Sequence, residues 1–315
     1  MSEWQIKRWE DSYLAEVIEV WQRVFADRMH DFKVDEGSFR NRALEHACFD
    51  PAGALLATID CRVVGFGLAV ASDDESPGYL SVLLVDDDWR GQGIGTGLLK
   101  GAEDFLGGRG KDAVRVGYRG NPISFATGVD VSTPAHRFLL NRGFRNDGSA
   151  SLVMELQIAD FEWREEIDEH IRTNEARGIR FGLCNAEHRD ALCRFMETHH
   201  PGGWERSVKG ALDGEGPYPV LVATDGDTVV GFTGPIRVGS DGRGGFSGIG
   251  TDPEYRRNKI GTVLFNLLCM EFKRRGATYD VLHTGLRNHA QNIYFGAGFR
   301  VNHLVDYSLV KRLKQ

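Results

Sequence analysis

The chain has 315 residues, with 38 Lys and Arg against 45 Asp and Glu and a formal net charge of −7. That acidic balance argues against a basic groove for nucleic acid, and 41% hydrophobic with 26% charged residues suits a soluble chain long enough for about two domains. No apolar run is long enough to span a membrane, the first ten residues carry no signal-peptide pattern, and the five cysteines have neither disulfide-framework nor zinc-pair spacing, so a cytoplasmic protein without a metal centre is expected.

In chain order, a short strand is predicted at Trp4–Arg8. A helix follows over Tyr13–Met29, with Leu14, Val17, Ile18, Trp21, Val24 and Phe25 as its apolar stripe. Ala54–Asp60 and Arg62–Val70 read as a hairpin, and Tyr79–Val85 as a buried central strand. Ile94, Leu98, Leu99 and Ala102 then recur at helical spacing until Gly107, Gly108 and Gly110 stop the helix. A strand at Lys111–Gly117, a long loop at Tyr118–Thr133, a short helix at Pro134–Asn141 and a strand at Ser151–Gln157 complete this series. The acidic, helix-prone segment 159–178 reads as a connector.

From about Ile179 the order repeats: a helix at Ala186–His199, a hairpin within Pro219–Val238, a strand at Phe246–Thr251 and a long helix at Ile260–Arg275. Asp280–Thr284, Ala290–Ala297 and Val301–Leu309 follow as strand, helix and strand. Residues repeat as well. Ala57-Thr58 returns as Ala223-Thr224, Val63-Val64-Gly65-Phe66 as Val229-Val230-Gly231-Phe232, and Ile94-Gly95-Thr96 as Ile260-Gly261-Thr262. Arg90 and Arg109-Gly110 return as Arg256 and Arg275-Gly276, and every pair stands 166 positions apart, as 57 does from 223. One register held over about fifty residues implies duplication, with copies at 1–158 and 159–315.

Between central strand and long helix, Arg90-Gly91-Gln92-Gly93-Ile94-Gly95-Thr96 crowds glycines into a helix start. Unpaired N–H groups there converge with a partial positive charge behind them, and glycine admits a ligand to the backbone. This stretch reads as an anion cradle suited to a pyrophosphate. The strand, the Arg-Gly-Gln-Gly-Ile-Gly turn, the helix and the short helix ending in Gly-Phe together resemble the GNAT superfamily of N-acetyltransferases over nearly the whole chain. The resemblance implies an α/β (α+β) fold of two tandem GNAT domains, each a mixed, mostly antiparallel sheet that splays beside its central strand. It further implies acetyl-CoA as the donor, lying in the splay with its pyrophosphate on the cradle.

Carried over residue by residue, the resemblance assigns donor binding in the first copy to Leu83, Val85, Arg90, Gly91, Gln92, Gly93, Gly95 and Thr96. In the second copy it assigns Ile249, Thr251, Arg256, Arg257, Asn258, Lys259, Gly261, Thr262 and Asn288. The copies depart from the pattern in opposite ways. Lys259 replaces the middle glycine of the second cradle, which adds charge and bulk and weakens the expected donor binding there. Tyr294 stands where the family places the acid that protonates the departing thiolate, whereas the first copy has Leu139. Donor binding is therefore expected in the first copy and turnover in the second.

The proton acceptor stays open among His283, Glu197, His199, His200 and Glu205, since no carboxylate lies on Phe246–Thr251. Glu197, His200, Trp204, Glu205 and His283 are expected around the acceptor, although Trp204 fits equally as a cap over a core. The Thr127-Gly128-Val129-Asp130 and Pro201-Gly202-Gly203-Trp204 segments are similar to bacterial glucosamine and glucosaminide N-acetyltransferases. The expected activity is acetyl transfer to the primary amine of a small molecule such as an amino sugar, by a monomer or homodimer. A non-turnover acetyl-CoA sensor and an acetyltransferase acting on peptide amines are the alternatives.

Overall fold

A computed structural model describes residues 3–26, 34–72, 77–118, 120–214 and 216–313. Two compact units emerge, one of Met1–Ser151 with His303–Gln315 and one of Leu152–Asn302. The first is built on β1 (Gln5–Arg8), α1 (Leu14–Val24), α2 (Glu36–Phe39), β2 (Ala54–Ile59), β3 (Arg62–Val70), β4 (Gly78–Val85) and α3 (Ile94–Gly108). It continues through β5 (Ala113–Val116), β6 (Val129–Asp130) and α4 (Pro134–Asn141). α1 buries Leu14, Val17, Ile18 and Trp21 of its expected stripe; the last three residues of the expected helix, 27–29, lie outside the described residues.

β4 pairs antiparallel with β3 along its length but parallel with β5 only at Gly78, Tyr79 and Leu80. Past Leu80 the two strands part. α1 and α2 cover one face through Trp21, Phe39 and Phe66, while Leu99, Leu106, Val114 and Phe144 form a core with α3 and α4 on the other.

The second unit takes in most of β7 (Ala150–Gln157), then α5 (Glu165–Glu175), β8 (Ile179–Leu183), α6 (Arg189–His199), α7 (Gly203–Lys209), β9 (Leu221–Asp225) and β10 (Thr228–Gly234). β11 (Arg237–Val238), β12 (Arg243–Gly245), β13 (Gly248–Thr251), α8 (Ile260–Arg274), β14 (Tyr279–Gly285), α9 (Gln291–Gly296) and the start of β15 (Arg300–Asp306) complete it. The strand expected at Phe246–Thr251 is shorter, β13 taking only its last four residues, and β12 precedes it across a break at Phe246-Ser247. β12 pairs parallel with β14 through Arg243 and Gly244, whereas β13 pairs with β10 and is an edge strand. The break separates β13 from β14 altogether, so this sheet is open where the first unit's is only parted.

The copies in the sequence and the units of the structure divide the chain differently. Ser151–Gln157 ends the first copy, yet from Leu152 onward it belongs to the second unit, where β7 lies beside β14. The chain's last strand, β16 (Val310–Arg312), belongs to the first unit and lies antiparallel to β5. Among the described residues no helix is long and apolar enough to cross a membrane, and no cluster of three or more His, Cys, Asp and Glu is placed to hold a metal.

Candidate active site

Both helix starts follow the same backbone path. Gly91 and Gly93 adopt left-handed φ values of 77° and 86°, and their counterparts Arg257 and Lys259 adopt 66° and 63°. Lys259 thus takes the left-handed conformation of the glycine it replaces, at a steric cost of about 1–2 kcal/mol for a residue with a Cβ. In each loop an outside side chain holds the middle carbonyl. Trp4 Nε1 donates to Gln92 O at 3.0 Å, and Asn174 Nδ2 donates to Asn258 O at 2.8 Å. A fixed carbonyl fixes the peptide plane. The connector thus supports the second cradle, since buried Asn174 lies on α5 and Arg177 follows it to bond Asn258 Oδ1 at 2.7 Å.

Above the cradles the units differ. In the first, α4 places Phe138 against Gly95, Arg142 stacks on Phe138 at 3.6 Å, and Arg142 donates to Thr96 Oγ1. Arg90 is turned onto Val85 O and Asp87. The parting of β4 and β5 is bridged by Asn121, whose amide nitrogen donates to Ser81 Oγ at 3.1 Å and Gly117 O at 3.4 Å. Beyond it Ile123 and Phe125 are buried, Phe125 with ring centroids 5.1 Å from Trp21 and 5.2 Å from Phe39. The long loop stoppers its own unit's splay, and Leu139, at the tyrosine position, is core.

In the second unit the opening between β13 and β14 belongs to a cavity of about 1130 Å³. Ile249, Thr251, Arg256, Arg257, Lys259, Gly261, Thr262 and Asn288 line it, and so do His200, Trp204, His283 and Tyr294. Asn258 does not line it, being tied into the loop. Glu197 and Glu205 do not either: each is 2.7 Å from Lys209 Nζ, and Glu205 also accepts the Gly202 N–H at the start of α7. His199 faces Asp252 at 3.4 Å. Of the candidate proton acceptors, only His200 and His283 reach the cavity wall.

β13 explains how His200 and Trp204 reach it. A Cβ at Gly248 would fall on the Trp204 indole and one at Gly250 on the His200 ring, so two glycines on one face let these rings lie on the strand. Ile249 and Thr251 point to the other face, toward α8, where Tyr294 packs on Phe265 at 4.8 Å. His200 and Trp204 thus approach the gap from the α6–α7 face and Tyr294 from the α8–α9 face.

Burial sets the protonation of these groups. His200 Nε2 is buried without a hydrogen-bond partner, and desolvation, then His199 and Arg256, hold the imidazole below its ordinary pKa. Desolvation and then Asp280 push the Tyr294 phenol up to about 12. Asp280, on β14, is fully buried with neither carboxylate oxygen in a hydrogen bond. Desolvation raises it to about 7 against the pull of Arg243 and the Val281 amide. Sequence reading missed Asp280, Arg237 and Arg243, all of which line the cavity; an aspartate heading the apolar Val281-Leu282 strand and a Gly-x-Gly within a strand were the available signals.

The model of the acetyltransferase (GNAT) family matches residues 15–144 and 186–299. No curated protein matches significantly in sequence. Among solved structures, the chain is similar to the glucosamine N-acetyltransferase region of a fungal multi-domain β-N-acetylglucosaminidase, at TM-score 0.72 and 18% identity. That match covers 98% of this chain but 38% of the fungal one, so the chain spans well under half of that relative. It is also similar to a GCN5-related N-acetyltransferase from Sphaerobacter thermophilus, at TM-score 0.69 and 16% identity over 99% of this chain and 96% of that one. A tandem GNAT protein from the clavulanic acid biosynthesis pathway matches at TM-score 0.62 and 14% identity, over 99% of both chains. At these identities the likeness is one of fold.

Proposed function

The chain belongs to the acetyltransferase (GNAT) family, and from that premise we propose that its second unit moves an acetyl group from acetyl-CoA to the primary amine of a small molecule, with an amino sugar the first candidate. One observation carries this reading: a single cavity is lined by a helix-start cradle, a buried tyrosine and an aromatic shelf on opposite faces of a sheet gap. The likeness to a glucosamine N-acetyltransferase region supports the choice of amino sugar. The cradle fits the donor's pyrophosphate, since the fixed backbone of Arg257–Gly261 heads a 15-residue helix with exposed Arg256, Arg257 and Lys259 around it. Five cysteines, none of them paired, support a cytoplasmic setting.

Bound acetyl-CoA supplies a thioester carbonyl for an amine to attack. An alkyl amine of pKa near ~10 is mostly protonated at neutral pH and must first lose a proton. His200, on the acceptor-side wall and neutral at neutral pH, is the group suited to take it, its Nε2 unpaired and shut in against Gly250. Backbone N–H groups on the open edge of β13 are available to a developing oxyanion. Tyr294 keeps its proton to well above neutrality and is suited to give it to a leaving thiolate of pKa ~8.5. Asp280, beside it and near half-ionised at neutral pH, is placed to influence that proton.

The first unit supports a second role. Its cradle is formed while its splay is stoppered by Asn121, Ile123 and Phe125, which favours donor binding without turnover. Thiol release by the purified chain with glucosamine, glucosaminides and a panel of amines tests the enzymatic reading; release at background for every amine would overturn it.

A further inference from the structure

The donor's phosphates account for Arg256, Arg257 and Lys259 at the start of α8, but not for Arg237. This residue opens β11 and lines the same cavity. Its Nη2 donates to Ser207 Oγ at 2.6 Å and to Ser247 Oγ at 3.0 Å, and the two hydroxyl oxygens are 2.7 Å apart. Ser207 stands on α7 one turn beyond Trp204, and Ser247 lies in the break that opens the gap. Arg237, both hydroxyls and the Trp204 indole therefore share the acceptor face.

Arg237 is exposed and has no carboxylate partner among the described residues. The acidic excess of the whole chain is reversed here: the wall carries Arg237, Arg243 and the three cradle cations against one carboxylate, Asp280, itself largely neutral below pH 7. A guanidinium fork beside two hydroxyls is a receptor for an oxyanion, and an indole offers a flat apolar face to the C–H side of a ring.

We infer that the amine acceptor carries an anionic oxygen group, phosphate or carboxylate, which seats on Arg237, Ser207 and Ser247 while its skeleton lies on Trp204 and its amine faces the gap between β13 and β14. This rests on the reading of the second unit as an acetyltransferase. It adds a requirement that reading does not contain, namely that charge on the acceptor away from the amine raises its selection. Phosphate and carboxylate offer the same charge-assisted chemistry but different geometry, so the test separates them.

The test compares kcat/KM of the full chain for glucosamine, glucosamine 6-phosphate and muramic acid, which bears a carboxylate on the same skeleton. At least one anionic amine is expected to exceed glucosamine by about tenfold or more, the worth of a charge-assisted hydrogen bond, and the arm that does so names the oxyanion. Arg237→Ala should bring that ratio toward one, and Arg237→Lys should leave it between, with unchanged circular dichroism and Tm showing that both variants fold. Equal selection of neutral and anionic amines by the wild-type chain, or a ratio that Arg237→Ala does not move, overturns the inference. If no amine releases thiol, it is the acetyltransferase reading that fails. The subsite is then judged by calorimetry of both anionic amines with coenzyme A present: binding weakened by Arg237→Ala supports it, and no binding, or equal binding, overturns it.

Discussion

The two helix starts are nearly the same backbone with opposite surroundings. At 91 and 93 the left-handed residues are glycines, and at 257 and 259 they are an arginine and a lysine, yet the φ values agree within about 25°. What separates the sites lies above the loop. Phe138 and Arg142 crowd the first cradle and a loop fills its splay, while the second opens into a cavity lined by a tyrosine and an imidazole. Both units have parted strands, so in the function proposed above the motif marks a phosphate seat and the chemistry depends on whether the gap beside it is left open or filled by a loop.

The contrast breaks most visibly at Tyr294. Tyr294→Phe should lower kcat by roughly 100- to 10,000-fold, the usual range for a lost general acid, and Leu139→Tyr should create no activity in a chain so disabled. Thiol release under saturating acceptor decides both. Next in size is His200→Ala, with a loss of about 100-fold or more. In the wild-type chain kcat should climb from acid pH and level off below the ordinary histidine value of 6.5, because burial keeps His200 neutral. A break near pH 7 instead would transfer the base role to Asp280.

Asp280 also tests the interior electrostatics of the open unit. In the folded chain its carboxyl stays protonated up to about pH 7, whereas the unfolded chain ionises near 3.8, so stability should fall as pH rises from about 4 to 7. The penalty is on the order of a few kcal/mol at pH 8. Asp280→Asn should therefore raise Tm at pH 8 more than at pH 5, and an equal shift at both would contradict the buried, unpaired placement. Asn174→Ala, which leaves Asn258 O unheld, should cost about 1–3 kcal/mol in denaturant unfolding and weaken donor binding. Smallest of all, Lys259→Gly should relieve left-handed strain and add up to about 1 kcal/mol of stability while lowering affinity for coenzyme A.

Much of this was legible in the residues. The repeat, the long helices after each cradle and the short helix at Pro134–Asn141 were set by apolar period and glycine stops, and they appear within a residue or two. α2 and α7 were not foreseen, because four and seven residues are too few to show a helical period. The exchange of the last strands had no local signal: Ser151–Gln157 lies beside β14, the expected Val301–Leu309 is largely β15, and the strand beside β5 is Val310–Arg312. Asp280 was hidden for a similar reason, since its burial follows from the pairing of β12 with β14 opposite Gly244 rather than from its neighbours in sequence. Trp204 and His200 were singled out by residue type, but their seat on the gap depends on Gly248 and Gly250.

The most direct test of the division of labour is donor binding and thiol release measured on the same two variants, Gly93→Asp and Gly261→Asp, each placing a carboxylate at a helix start proposed to hold phosphate. If the second unit is the active centre, Gly261→Asp removes turnover by about 100-fold or more and one of the donor-binding events seen by calorimetry. Gly93→Asp should lower turnover far less. Loss of turnover in Gly93→Asp with retention in Gly261→Asp would place the chemistry in the first unit and contradict the account.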